Sequence, residues 1–248
     1  VHIHDYLERL HYAGPLEPTL QTLQALHEAH LLSIPFENLN IHLGRRLLLD
    51  EDALWTKIIE QRRGGFCYEL NGLFAWLLRT LGFQVSLLAA DVARPAGGFG
   101  PEFDHLALLV HLEDDWLADV GFGESFRQPL QMQASLVQVQ EWGKYRLERE
   151  GTYWLLQSWD DEEWKPSYRF TLHPHVLSEF NEMCQYHQTD SLSHFTQRRI
   201  CTIATRIGRT TLSDKRLIMT VQKEKKTQQL TSQEEYTAAL AEHFGIVL

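Results

Sequence analysis

Two adjacent glycines that run directly into a helical apolar stripe constrain this chain more than any other feature. The stretch is Arg62-Arg63-Gly64-Gly65-Phe66-Cys67-Tyr68-Glu69-Leu70-Asn71-Gly72-Leu73-Phe74. Gly64 and Gly65 allow a tight backbone approach that a Cβ resists. Leu70, Leu73, Phe74, Leu77, Leu78 and Leu81 then recur at helical spacing, and Gly82 stands where helices commonly stop. Cys67 falls at the junction of turn and helix. Helix starts carry unpaired N–H groups and the positive end of the helix dipole, which favour a thiolate over a thiol. The alternative is a small buried apolar side chain, the common fate of a free cysteine.

Around this helix the chain is segregated. Residues 5–12 and 18–32 read as helices, the second with a stripe of Leu20, Leu23, Leu26 and Leu31 and with Pro18 in its first turn. Ile34-Pro35 breaks the pattern. A further helix is expected from Asp50 as N-cap to about Gln61. From Phe83 the character changes to short apolar runs bounded by Gly, Pro and acidic residues: 84–92, 105–112 and 116–120 read as strands. A hairpin is expected about Gly151, a strand over 164–172, a helix over 174–186, and strands over 200–207, 210–212 and 216–221. A last helix starts at Ser232, with Glu235 completing a capping box. Helices first, strands after, with a closing helix, indicate an α+β fold rather than alternating βαβ units.

Composition narrows the function. The 248 residues hold 44% apolar and 23% charged side chains, as ordinary globular proteins do. No apolar run approaches the roughly 18–20 residues of a membrane span. The start, Val1-His2-Ile3-His4-Asp5, lacks the basic-then-apolar pattern of a signal peptide. Three cysteines without framework spacing argue against a disulfide scaffold and for the cytoplasm, with Cys184 and Cys201 as structural thiols. A net charge of −10 argues against nucleic-acid binding. Residues 198–226 nevertheless carry +7, from nine basic residues that include Arg198 and Lys223, against −17 elsewhere. This segment is a solvated strand face or a dock for a small polyanion. The 13 histidines, including the pairs His27/His30, His2/His4 and His173/His175, lack the spacing of a zinc site and read as scattered surface residues, so no metal is expected. The glycine-rich loop over 94–101 is no nucleotide motif, since it has no Gly-Lys-Ser/Thr end and opens no helix.

A reacting cysteine needs a base, and the base needs a group that orients it. His105 opens an apolar strand, and Asp119 is a carboxylate inside another. Both need partners if buried. If the two strands are neighbours, a His105–Asp119 hydrogen bond satisfies both and leaves the other ring nitrogen for Cys67. A cysteine on a helix start, with histidine and acid on following strands, is a papain-like layout of a nucleophile site.

These residues carry a resemblance. Residues 62–74 resemble the cysteine motif of the arylamine N-acetyltransferases, in the style of the bacterial N-hydroxyarylamine O-acetyltransferases. Ile34-Pro35-Phe36-Glu37-Asn38-Leu39 is similar to an upstream motif of that family, and Ala118-Asp119-Val120-Gly121-Phe122-Gly123 to its aspartate motif. The similarity runs through about residue 130 and continues more loosely to the end. It implies a helical N-terminal domain over 1–82, a β-barrel-like middle domain over 83–190 and a C-terminal α/β lid over 191–248. It further implies that Cys67 is the acetyl-carrying nucleophile, His105 its base and Asp119 the orienting acid, with Arg63 and Glu37 in a buried structural ion pair. Acetyl-CoA is the implied donor. Arylamines, arylhydrazines or N-hydroxyarylamines are the implied acceptors, served in two half-reactions.

An aryl acceptor needs flat apolar surface, for which Phe36, Phe66, Phe99, Phe122 and Phe126 are candidates by proximity to the motifs. The basic 198–226 segment and the loop over 96–100 are candidate contributors to CoA binding. Two other readings use the same residues: a cysteine hydrolase or transglutaminase-like enzyme acting on amides, and a binding module with a relic site. The second predicts a missing triad member, whereas all three are present.

Overall fold

The computed structural model describes residues 2–222 and 224–248. Val1 and Lys223, the latter one of the nine basic residues counted above, lie outside the described residues.

Helices dominate the first third: α1 (Ile3–Arg9), α2 (Leu20–Ser33), a short strand β1 (Phe36–Glu37), α3 (Leu39–His42), α4 (Glu51–Trp55) and α5 (Cys67–Thr80). The Thr19 hydroxyl accepts from the Thr22 N–H and caps α2, so Pro18 lies ahead of the helix rather than in its first turn. Asp50 caps α4 through the Ala53 N–H at 2.9 Å, as expected. The helix then widens into a π-turn over Thr56–Glu60, which sequence periodicity does not signal. α5 is almost wholly buried and carries its apolar stripe into a core shared with Tyr6, Leu23, Trp55, Leu106 and Leu108.

Strands follow: β2 (Gln84–Val92), β3 (His105–His111), β4 (Asp115–Ala118), β5 (Leu130–Gln131), β6 (Gln138–Gln140), β7 (Gly143–Glu150), β8 (Tyr153–Asp160) and β9 (Glu163–Phe170). All pair antiparallel in the order β5-β4-β3-β2-β9-β8-β7-β6. The two edge strands meet through the Gln138 side chain, which accepts from the Gln131 N–H (2.8 Å) and donates to the Gln131 carbonyl (3.0 Å). The sheet is therefore nearly closed and barrel-like, around Leu88, Leu117, Leu147, Leu156 and Phe170. Gly151 turns the β7–β8 hairpin at φ +63°, where glycine carries no steric cost.

After a 3₁₀ turn (Leu177–Phe180) come α6 (Asn181–Thr189), α7 (His194–Gln197), β10 (Ile200–Thr205), β11 (Gly208–Ser213), β12 (Arg216–Val221), β13 (Glu224–Gln229) and α8 (Gln233–Phe244). The second sheet has the order β1-β10-β11-β12-β13, so a strand from the first third closes a sheet built by the last. α8 covers it with Tyr236, Leu240 and Phe244. Ser232 caps α8 through the Glu235 N–H, but the Glu235 carboxylate reaches back to the Thr231 N–H instead of completing the capping box.

Candidate active site

The antiparallel register brings the polar residues together. β3 begins at His105 and β4 ends at Ala118, which lies opposite Leu108. The start of one strand and the end of its neighbour therefore share one end of the sheet. Asp119 falls one residue past β4, so it is a loop carboxylate rather than a strand residue. His105 Nε2 lies 2.7 Å from Asp119 Oδ2, with both side chains at most 3% exposed. α5 packs on β3. Its first residue, Cys67, lines one cavity with His105, Asp104, Gly121 and Phe122. The cavity holds about 340 Å³, at the small end for ligand sites.

A clasp that sequence reading missed holds Asp119. Asn71, one helical turn after Cys67, donates from Nδ2 to Asp119 Oδ1 (2.8 Å) and to the Leu106 carbonyl (2.6 Å). Its Oδ1 accepts from the Val120 N–H (2.9 Å). The Gly121 N–H donates to Asp119 Oδ1 (2.9 Å). Burial pushes the Asp119 carboxyl up, but His105, Asn71 and Gly121 together overcome this and leave it below its ordinary value of 3.8. A Cβ on Gly121 would stand 2.8 Å from Cys67 Cα, so only glycine lets this loop lie against the cysteine backbone.

Asp119 is also fixed from behind. His27, on α2, accepts the Asp119 backbone N–H at Nε2 (3.1 Å). Because a backbone N–H can only donate, the ring proton sits on Nδ1, which donates to the Arg127 carbonyl (2.9 Å). His27 is fully buried, and burial lowers it to a pKa of about 4, so the ring is neutral. His30 is likewise fully buried and held well below 6.5 by burial. The expectation of surface histidines therefore fails for this pair. Positions 23, 27 and 30 lie on one helical face, and that spacing was the available signal.

The Gly64-Gly65 turn is built on the 34–39 stretch. Gly65 N–H donates to the Pro35 carbonyl (3.3 Å) and Glu37 N–H to the Gly65 carbonyl (2.8 Å). A Cβ on Gly64 would collide with the Pro35 carbonyl oxygen. The sequence pairing of Arg63 with Glu37 is present (2.8 Å), within a larger neutral group. Lys57, carried inward on the π-turn, lies 2.7 Å from Glu69 and 3.6 Å from Glu37. The Glu69 carboxylate accepts from the Phe66 N–H (3.0 Å), which ties the network to the first turn of α5. Burial pushes the Glu37 carboxyl up, yet Lys57, Arg63 and the Leu39 N–H hold it below 4.5. For Glu69 burial prevails and the carboxyl is raised.

Burial also pushes the Cys67 thiol well up, with only the Leu106 backbone pulling the other way. The helix start does not by itself yield a thiolate in this enclosed place, contrary to the expectation from position alone. Cys184, pushed up to about 12, and Cys201 are buried, and all three cysteines are free.

Of the phenylalanine candidates, Phe36 and Phe122 line the cavity, joined by Phe195, which sequence reading missed. Phe66 and Phe126 are core residues, and Phe99 lies under the Arg169 guanidinium. Of the basic segment, Arg198 alone lines the cavity among the described residues. Arg199 pairs with Asp214, and Arg209 donates to the Gly123 carbonyl. Among the described residues no group of three or more metal-ligating side chains occurs, and no helix is long and apolar enough to cross a membrane.

A family model described as N-acetyltransferase matches residues 19–248. An arylamine N-acetyltransferase / N-hydroxyarylamine O-acetyltransferase of Salmonella typhimurium is 43% identical over 185 residues, covering 72% of this chain and 66% of the relative. By sequence the chain spans 61–66% of the length of the first bacterial relatives it matches. The solved structure of an arylamine N-acetyltransferase from Salmonella typhimurium superposes with a TM-score of 0.94 at 35% identity, over 98% of this chain and 90% of that one. A Mycobacterium marinum arylamine N-acetyltransferase in complex with CoA superposes with a TM-score of 0.92 at 30% identity, over 99% and 93%.

Proposed function

Because this chain belongs to the arylamine N-acetyltransferase family, we propose that it transfers acetyl from acetyl-CoA to arylamines, arylhydrazines or N-hydroxyarylamines through an acetyl-Cys67 thioester. The observation that carries this reading is the buried His105–Asp119 pair at the cavity that Cys67 lines.

In the first half-reaction the Cys67 proton passes to His105, and the thiolate attacks the thioester carbonyl. The resulting imidazolium stays beside the ionised Asp119, and its proton goes to the departing CoA sulfur. In the second half-reaction the acceptor nitrogen or oxygen attacks acetyl-Cys67 while His105 takes its proton, and the Cys67 thiolate leaves. Dividing the transfer in two lets one small cavity serve both substrates in turn. N–H groups of the first turn of α5, which have no acceptor within the helix, are suited to the oxyanion. Arg198 at the cavity rim is suited to an anionic donor, and a relative of this fold is known as a CoA complex. Asp119 accepts three hydrogen bonds, from Asn71, Gly121 and His105, and is held below its ordinary value, which fits an orienting acid.

The chain divides on this reading into the cysteine-bearing part over 1–82, the base- and acid-bearing part over 83–190 and a lid over 191–248, in a papain-like layout. Three free buried thiols fit a reducing, cytoplasmic setting.

Acetyl-CoA alone should leave one acetyl group on Cys67, read by intact and peptide mass spectrometry, and none on Cys67→Ala. Acetyl transfer to an arylamine by Cys67→Ala at the parent rate would refute the mechanism.

A further inference from the structure

A second histidine–carboxylate pair lies beside the same cavity, with its carboxylate in the lining, and the reaction as described does not use it. Asp104 precedes His105 and lines the cavity with its side chain 14% exposed. Among the described residues no hydrogen-bond donor is aligned on this carboxylate. The basic side chain beside it is His187, whose Nε2 lies 3.2 Å from Oδ1 but is not in hydrogen-bonding geometry. His187 is 2% exposed and firmly held. Its Nδ1 is 3.1 Å from the Ser193 hydroxyl, and its ring lies between Tyr68 (centroids 6.1 Å, nearly parallel) and Phe195 (5.1 Å, edge-on). The backbone is arranged for the carboxylate as well, because a Cβ on Gly100 would collide with Asp104 Oδ2.

A carboxylate accepts several hydrogen bonds, and leaving them unmade in a partly enclosed site is costly. This one also stands where its negative charge opposes a thiolate on Cys67. A group placed against both its own solvation and the nucleophile calls for a donor from outside the chain. That donor has to occupy the cavity while Cys67 carries the acyl group and is neutral.

We propose that Asp104, positioned by His187, recognises the acceptor and selects those with an N–H one bond away from the attacking atom. This rests on the reading of the site as an acetyl-transfer site. In an arylhydrazine the terminal nitrogen attacks while the inner N–H donates to Asp104. In an N-hydroxyarylamine the oxygen attacks while the N–H donates. A simple arylamine has only the hydrogens on its attacking nitrogen, one of which goes to His105, and gains less. No bond to Asp104 forms or breaks, and the proton balance remains that of the His105 step. A carboxylate-bound N–H stabilises the approach of these acceptors by about 1.5–3 kcal/mol, a roughly 10- to 100-fold preference.

The test separates the half-reactions. Parent, Asp104→Asn, Asp104→Glu and His187→Gln are first acetylated with acetyl-CoA. Discharge of acetyl-Cys67 is then followed with an arylhydrazine, an N-hydroxyarylamine and an arylamine of matched ring. For Asp104→Asn the acceptors are compared as ratios within the variant, so that any change in acylation is common to all three. Its discharge by the hydrazine and hydroxylamine falls at least 10-fold relative to the arylamine. Asp104→Glu restores part of that ratio, and His187→Gln reproduces part of the loss. A ratio unchanged from the parent in Asp104→Asn, or a parallel fall with all three acceptors, overturns the proposal. A parent that forms no acetyl-Cys67 refutes acetyl transfer itself, and with it this inference; acylation with an unaltered ratio refutes only the inference.

Discussion

Acid should loosen this protein through α2 before it reaches the carboxylates. His27 has an ordinary value of 6.5 in the unfolded chain and about 4 in the fold, because burial disfavours the imidazolium. Between these values the unfolded chain binds a proton that the fold does not, so stability is complete above 6.5 and is lost as pH falls toward 4. At pH 5 the loss is about 2 kcal/mol for one such group. His30, also held well below 6.5 by burial, acts in the same direction. His27 alone removes about 2 kcal/mol between pH 7.5 and 5, out of the 5–15 kcal/mol of a typical domain, and His30 adds to that loss. Glu69 and Asp91, whose carboxyls burial raises, act in the opposite sense as pH falls. The informative measurement is therefore a difference. His30 has neither ring nitrogen bonded and packs on Phe74 at 5.2 Å, so His30→Leu keeps the core and removes one titrating group. Urea unfolding at pH 7.5 and pH 5 should show the variant losing less than the parent on acidification, by up to about 2 kcal/mol, the full cost of protonating an ordinary imidazole at pH 5. Equal losses in the two proteins, or His30 ring protons that titrate near 6.5 in the folded parent, would refute the reasoning.

Two further expectations concern the supports of the site. Asn71→Ala leaves the Leu106 carbonyl, the Val120 N–H and one lone pair of Asp119 without partners, a loss of about 3 kcal/mol or more in urea unfolding, with acetylation of Cys67 slowed at least ~10-fold as His105 loses its anchor. Retained stability within about 1 kcal/mol would show that the carboxamide is not the clasp. Gly64→Ala drives a methyl group into the Pro35 carbonyl, a backbone atom that cannot swing aside, and should cost about 3 kcal/mol, the upper end for overpacking; unfolding within ~1 kcal/mol of the parent would rule out the close approach.

Much of this fold is legible where one residue type makes one demand. The stripe after Cys67, the Asp50 cap and the Gly151 hairpin each rest on a local rule, and each is present. The pairing of His105 with Asp119 was legible because a polar residue at the edge of an apolar run needs a partner. Asn71 was equally visible, four residues after Cys67 in an apolar helix, but a helical stripe does not reveal which polar position turns inward. His27 and His30 were hidden by their own chemistry. Histidine is tolerated inside and outside, and only their coincidence with Leu23 on one face marks them as buried. β13, Glu224–Gln229, is exposed at every described position and pairs only with β12, so it has no apolar alternation to read. β1, two residues long, exists because β10, more than 160 residues later, supplies its ladder.

The cysteine poses the sharper physical question. Its place at a helix start favours the thiolate, while its burial favours the thiol, and burial wins for the isolated group. The enclosed charges around it give no positive excess: Glu37 and Glu69 are matched by Lys57 and Arg63, Asp119 faces His105, and Asp104 adds a further carboxylate. The helix start and the Leu106 backbone do not offset burial for a lone anion on Cys67. The site does accommodate an ion pair, because a proton moved from sulfur to imidazole leaves the cavity's net charge unchanged and places the new cation 2.7 Å from Asp119. On the proposed mechanism the nucleophile is armed only while the imidazolium is held in place. The Asn71, Gly121 and His27 contacts that fix Asp119 therefore govern the reactivity of a sulfur none of them is required to touch.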